Sequence, residues 1–338
     1  MTTYTSSWIR AYTNIALIKY WGKADEALKL PKNNSISLTL DSFYTDTHVQ
    51  FDSRFTADTL TIDGQGQDQN GAALKKAKII LDLVREIAQV DYNAKITSLN
   101  YVPTAAGLAS SASGLAALAG AASNALELNL SDTDLSRLAR RGSGSASRSI
   151  FGGFVEWEKG DSDVTSVAKP LDDANWDIGM LFIILDSRQK AVSSSEGMSR
   201  TVATSVFYPA WLETIELDLA DMRQAIKDQS IQQVGEIAER NALKMHGTNL
   251  GANPPFTYWS AESLRAMEHV RQLRQEGYNV YFTMDAGPNV KLIGTYQELK
   301  EIKEHLSKYY DPAQLILAQP GPGLTVLPEH VHADITPN

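Results

Sequence analysis

Several short stretches carry groups whose types and spacing could do chemistry. The first is "VPTAAGLASSASGLAALAGAA", residues 102–122. Its first half is small, uncharged and hydroxyl-rich, and its second half is Ala and Leu at helical spacing. The first N–H groups of a helix have no partner inside it, and the helix dipole adds positive charge there. A loop of Gly, Ala and Ser lets an anion approach that backbone closely. Pro103, Gly107, Ser110, Ser111 and Ser113 precede or open a helix expected over 115–122. Small residues there would equally serve tight packing against a sheet, and the residues alone leave both readings open. The chain has no G-x-x-x-x-G-K-[ST] loop. A second loop, "GSGSAS" (142–147), runs into Arg148. It could cradle an anion or act as a linker, but it lies between the helical "DLSRLARR" and the strand-like "FGGFVEW", where linkers seldom sit. In "KYWGK", Lys19 and Lys23 share a face in a strand and lie one turn apart in a helix. Either geometry lets both amines reach one pocket, although two lysines on an exposed edge are ordinary. The bulk of Trp21 favours a packed site. Asp285 follows the apolar "NVYFTM" and precedes the sharp "AGPN". There it could project from a rigid edge into a cleft or serve as a common turn aspartate. "KAVSSSEGMSR" (190–200) suits either a lid or a solvated linker.

These candidates need elements to hold them. At 338 residues the chain has length for about two domains. With 43% hydrophobic and 21% charged residues it reads as an ordinary globular protein. No run is long and apolar enough to span a membrane, and the N-terminus lacks the pattern of a secretion signal, so a cytoplasmic location is expected. The absence of cysteine excludes disulfides and thiolate chemistry. A net charge of −9 argues against a nucleic-acid partner, while clustered cations could still form a local anion pocket. The six histidines show no metal-ligand spacing, and His246 in "KMHGTN" reads as structural or surface. Strands are expected over 35–40, 47–51, 59–63 and 95–102. A helical stripe is formed by Leu74, Ala77, Ile80, Leu81, Val84 and Ile87. Ser131 and Asp134 suggest a capped helix start. "FGGFVEW" and "GMLFIIL" return to strand. Helices over 206–227, 231–245 and 261–276 follow, the last closed by Gly277. Strand, strand, helix and strand complete the chain. A domain boundary falls near 186–195, giving domains 1–188 and 189–338, both mixed α and β.

"PTAAGLASSASG" resembles the P-x-x-x-G-L-x-S-S-A loop of the GHMP small-molecule kinase superfamily. More narrowly it is similar to the corresponding loop of mevalonate diphosphate decarboxylases. "TNIALIKYWGK", "LPKNNSISLTL", "GSGSASRSIFGGFVEW" and "MDAGPNVKLI" resemble further blocks of that family, in the expected order between residues 13 and 293. The resemblance implies an α/β (α+β) fold of two domains. The N-terminal one would be like ribosomal protein S5 domain 2, and the C-terminal one a ferredoxin-like GHMP domain of helices over an antiparallel sheet. It implies ATP and Mg²⁺ as cofactors and a homodimer.

The implied reaction phosphorylates the C3 hydroxyl of (R)-mevalonate 5-diphosphate with ATP. Loss of phosphate and CO2 then gives isopentenyl diphosphate. Carried over by motif, Asp285 is the carboxylate on the C3 hydroxyl, Lys19 touches Asp285 or the transferring phosphoryl group, and Arg148 forks onto the substrate carboxylate. Tyr20, Lys23, Ser143, Ser145 and Arg148 map onto substrate-binding positions, as does Ser194 within a register of one residue. Pro103, Gly107, Leu108, Ala109, Ser110, Ser111 and Ser113 form the implied ATP loop, with Ser111 as the protein ligand to Mg²⁺. Residues 70–76, where the 5-diphosphate would be gripped, do not align clearly with the family, so the number of substrate phosphates stays open. A monophosphate decarboxylase and a kinase that stops at the 3-phosphate are alternatives on the same fold. Kinase-only relatives tend to lack the Asp/Lys pair kept here.

Overall fold

The computed structural model describes residues 3–101, 111–186, 191–328 and 330–332. The strands are β1 (Thr3–Thr5), β2 (Ile9–Ile18), β3 (Lys23–Asp25), β4 (Leu30–Pro31), β5 (Ser35–Asp52), β6 (Thr59–Ile62), β7 (Gln65–Gly66), β8 (Asn93–Tyr101), β9 (Phe154–Trp157), β10 (Ala168–Asp172), β11 (Gly179–Ile183), β12 (Tyr281–Thr283), β13 (Val290–Gly294), β14 (Leu315–Ala318) and β15 (Thr325–Val326). The helices are α1 (Ala72–Ala88), α2 (Ser111–Ala125), α3 (Asp132–Gly142), α4 (Ser194–Thr204), α5 (Tyr208–Lys227), α6 (Ile231–Leu250), α7 (Ala261–Gln275) and α8 (Tyr296–Leu306).

Two sheets dominate. The first is built around β5, which pairs with β9 at its start, β8 at its end and β2 along its other edge. The sequence pattern suggests two strands here, over 35–40 and 47–51; the structure has one of 18 residues. Asp41 and Ser42 look like a break; they lie in a bulge of β5 against β2, and the pairing resumes at Tyr44 and Thr45, so one strand continues through them. The second sheet, β12-β13-β11-β14, is antiparallel throughout. Its member β11 ends before residue 188, so the boundary expected near 186–195 does not separate the two sheets. "GMLFIIL" is uniformly apolar and carries no sign of which sheet it joins. The chain also returns at its end, where β15 pairs with β2 of the first sheet.

Side-chain alternation explains the layering. On β11, Met180 and Phe182 face a core shared with the first sheet, where Phe43 meets Phe182 edge-on at 4.7 Å. Leu181 and Ile183 face the opposite way, against α7 and α8. The shared core includes Trp211, Ile215, Met222, Val234 and Ile237, so α5 and α6 lie between the two sheets. Each large apolar side chain buried here is worth roughly 1.5–3 kcal/mol, which ties the halves firmly together. On the far side of the first sheet, α1, α2 and α3 cover Val49, Phe51 and Ile96. The α1 stripe is buried from Leu74 to Val84, whereas Ile87 is exposed in the last turn. Ser131 caps α3 through the Asp134 amide, and Gly277 takes a positive φ just after α7, both as the sequence suggests.

Candidate active site

The end of β2, the start of β3, the turn after α3, the start of α4 and the β12–β13 turn converge on one cleft of about 540 Å³. Lys19, Lys23, Lys29, Lys76, Arg148 and Lys291 line it, and the acidic lining residue is Asp285. Among the described residues, a chain of net charge −9 thus gathers six lining cations around one lining carboxylate. That local field selects a polyanion.

Asp285 stands on the turn after β12. Its Oδ1 accepts from Lys19 Nζ at 2.8 Å and its Oδ2 from Lys291 Nζ at 3.0 Å. Burial alone would raise its pKa, but the two ammoniums outweigh that and hold the carboxyl well below the usual range. Both lysine side chains are 3% exposed and that of Asp285 is 36% exposed, so the carboxylate faces the cleft with its cations behind it. Burial pushes the Lys19 ammonium down to about 8 despite Asp285. Lys19 Nζ also donates to the Ala16 carbonyl at 2.5 Å.

Arg148 lies in the 3-10 turn Gly144–Ile150. The expected open loop is therefore a compact turn, since Ser147 Oγ bonds back to the Gly144 carbonyl. The Arg148 guanidinium is 2% exposed and donates to Asn14 Oδ1, Ser37 Oγ and Ser35 Oγ at 3.1, 3.0 and 2.5 Å. These partners are neutral, and burial lowers its pKa to about 10, so it stays charged at neutral pH. A buried guanidinium with no carboxylate hydrogen-bonded to it is a ready site for one. Tyr20 packs edge-on against Trp157 at 4.8 Å. Its hydroxyl and that of Thr13 are buried along the cleft with no hydrogen-bond partner among the described residues. Orphaned polar atoms of this kind suit a polar ligand.

Lys23 donates to Ser195 Oγ and to Glu26, both at 2.8 Å, and Lys29 also approaches Glu26. Ser143, Ser145, Ser193, Ser194 and Ser195 line the cleft. Ser193 caps α4, so Ser195 rather than Ser194 reaches Lys23. Ser111 also lines the cleft. Ser113 does not: two residues on, helical geometry turns it away, and its hydroxyl meets Thr45 on β5 at 2.9 Å. Pro103, Gly107, Leu108, Ala109 and Ser110 lie outside the described residues.

Lys291, Lys29 and Lys76 are cleft cations that the sequence reading did not single out. Lys291 had a visible signal, a lone charge in the apolar run "NVKLIG". Lys76 belongs to the first turns of α1, which open on the cleft with no acidic residue in the first turn. His246 is not at the surface: it is 2% exposed and held neutral by burial and by Lys19, with its pKa down to about 3.

Known proteins resemble this chain over most of its length. Residues 11–168 match the model of the diphosphomevalonate decarboxylase-like N-terminal domain, and residues 180–323 match that of the mevalonate 5-diphosphate decarboxylase C-terminal domain. The chain belongs to the diphosphomevalonate decarboxylase family. Among curated relatives, the Gibberella zeae diphosphomevalonate decarboxylase is 37% identical, covering 90% of this chain and 84% of the relative. The Saccharomyces cerevisiae one is 36% identical, with 86% and 78% covered. Of solved structures, the Enterococcus faecalis mevalonate diphosphate decarboxylase superposes with a TM-score of 0.91 at 53% identity, covering 96% of this chain and 99% of that one. The Staphylococcus aureus enzyme gives 0.92 at 49%, with 97% and 99% covered. A further structure, described as MDDEF in complex with MVAPP, AMPPCP and magnesium, gives 0.92 at 54% identity, with 96% and 99% covered. The mixed α/β two-domain GHMP fold implied by the sequence motifs is the fold of this decarboxylase family and of this chain.

Proposed function

We infer that this protein converts (R)-mevalonate 5-diphosphate and ATP to isopentenyl diphosphate, ADP, phosphate and CO2. The observation that carries the reading is a carboxylate, Asp285, held between Lys19 and Lys291 at the wall of a cleft with six lining cations. Two polyphosphates can share such a cleft, because each cation offsets part of their charge.

In this reading Asp285 accepts a hydrogen bond from the C3 hydroxyl and aims its oxygen at the γ-phosphate. Its proton affinity is low while both ammoniums sit on it. It strengthens as a base when a phosphoryl oxygen draws a lysine away. Lys19 and Lys291 then stabilise charge on the transferring group, which spreads over the equatorial oxygens in a loose transition state. As the tertiary C–O bond breaks, the Asp285 carboxylate stabilises the positive charge developing at C3. Arg148, fixed by Asn14, Ser35 and Ser37, holds the departing carboxylate. Tyr20, Lys23, Ser143, Ser145, Ser194 and Ser195 grip the 5-diphosphate. The loop of Pro103, Gly107, Leu108, Ala109, Ser110 and Ser111 holds ATP.

The cofactors are ATP and Mg²⁺. Among the described residues no three His, Asp or Glu side chains are grouped to hold a metal. That donor set fits an ion carried mainly by polyphosphate and water, with Ser111 as the protein oxygen beside it. The ion neutralises phosphate charge. Among the described residues no helix is long and apolar enough to cross a membrane. The family reading also carries a homodimer in the cytoplasm, tested by light scattering and by fractionation.

Incubation with ATP, Mg²⁺ and each of mevalonate, its 5-phosphate and its 5-diphosphate tests the assignment. Equimolar ADP, phosphate and CO2 from the diphosphate is the expected result. A phosphorylated alcohol without CO2, or CO2 from the monophosphate alone, contradicts it.

A further inference from the structure

Lys19 follows the last residue of β2, so its backbone N–H and carbonyl leave the sheet ladder while still buried. Such groups need partners. Two asparagines supply them: Lys19 N donates to Asn241 Oδ1 at 2.9 Å, and Asn33 Nδ2 donates to the Lys19 carbonyl at 2.8 Å. Asn241 lies on α6 and is fully buried. Its Nδ2 donates to Asp218 Oδ2 at 2.8 Å. Asp218, 2% exposed on α5, also accepts from Lys244 at 2.9 Å and Arg240 at 3.1 Å. A carboxylate can only accept, so the Asn241 amide has one orientation: NH2 to Asp218, oxygen to Lys19. A helix pair of the second half thereby fixes the backbone of a site residue from the first.

We propose that Asn241 is a positioning residue, whose amide, oriented by Asp218, clamps the Lys19 backbone and so aims the Lys19 ammonium at Asp285. The proposal rests on the reading of Lys19 and Asp285 as working groups. Nothing else on α6 hydrogen-bonds Lys19. Among the described residues, the charged or titratable groups that act on the Lys19 ammonium are Asp285, Lys291 and Arg148, with the neutral His246 beside them. A shift of the ammonium by a fraction of an ångström changes its balance among them, so both its titration and its catalytic use report on the clamp.

The test compares Asn241→Ala with Val234→Ala, an apolar truncation two turns earlier on the same helix. ¹⁵N-lysine NMR titration reads the Lys19 midpoint, with the signal assigned by its loss in Lys19→Met. CO2 release gives kcat and KM. Expected for Asn241→Ala is a Lys19 midpoint displaced by about half a pH unit or more, with kcat down about thirtyfold and KM values nearly unchanged. Val234→Ala should be destabilised but keep both the wild-type midpoint and kcat. An unmoved midpoint in a folded Asn241→Ala protein overturns the clamp, as does an equal displacement in Val234→Ala. If wild-type protein releases no CO2, the functional reading fails, and the NMR comparison still decides the clamp.

Discussion

Replacing Lys291 with methionine removes one of the two cations on Asp285 while keeping most of the side-chain volume. Lys291 and Lys19 bond opposite oxygens of one carboxylate at 3.0 and 2.8 Å. Their ammoniums therefore sit roughly 5 Å apart, which at an effective dielectric near 20 gives about 3 kcal/mol of repulsion. The half-open Asp285 side admits water, so screening leaves about 1–2 kcal/mol, or about one pH unit. A neighbouring positive charge disfavours the charged ammonium, and losing it raises the Lys19 pKa from about 8. The proposed reaction needs Lys19 charged, so activity falls as pH rises through that pKa. The alkaline limb of kcat/KM in Lys291→Met should move up, from about 8 toward about 9. The assay is CO2 release across pH with the phosphorylated substrate well below its KM, each profile normalised to its own maximum. A limb that stays in place or moves down refutes the electrostatic reasoning, whatever the height of the maximum.

Two further outcomes follow from the same geometry. Arg148→Ala removes the buried guanidinium proposed to hold the substrate carboxylate, so phosphoryl transfer should outlast decarboxylation. ADP should then exceed CO2 in product analysis, and equal loss of both argues against the orienting role. Gly22→Ala puts a Cβ at φ +111, colliding with the Tyr208 hydroxyl and 2.8 Å from Val202 Cγ2. The clash breaks the Tyr208 bond to the Trp21 carbonyl beside Lys23. A loss of about 1–3 kcal/mol in denaturant unfolding is expected, with a higher KM for the phosphorylated substrate.

Much of this site is legible in the sequence, because the motifs carrying Lys19, Arg148 and Asp285 are local and chemically distinctive. What stays hidden depends on distant contacts. Lys291 sits in a strand whose neighbours are all core, and only the pairing of β13 with β12 places it beside Asp285. Asn241 and Asp218 look like ordinary helix residues until α5 and α6 pack under β2. The break suggested after residue 40 is a bulge, across which β5 keeps its pairing with β2, and no local residue signals that the strand resumes. The sheet membership of β11 is set by its partners, and its own apolar run fits either sheet. Which serine of Ser193–Ser195 meets Lys23 is left open by one residue in the sequence, and the packing of α4 brings Ser195 there.

The account turns on Asp285 as the anion that works on the substrate from between two lysines. Its most direct test is CO2 release by Asp285→Asn beside its affinity for ATP. The account predicts turnover lower by about a thousandfold or more, with nucleotide affinity close to wild type. Turnover within about tenfold of wild type, only ~1.4 kcal/mol of barrier, contradicts it.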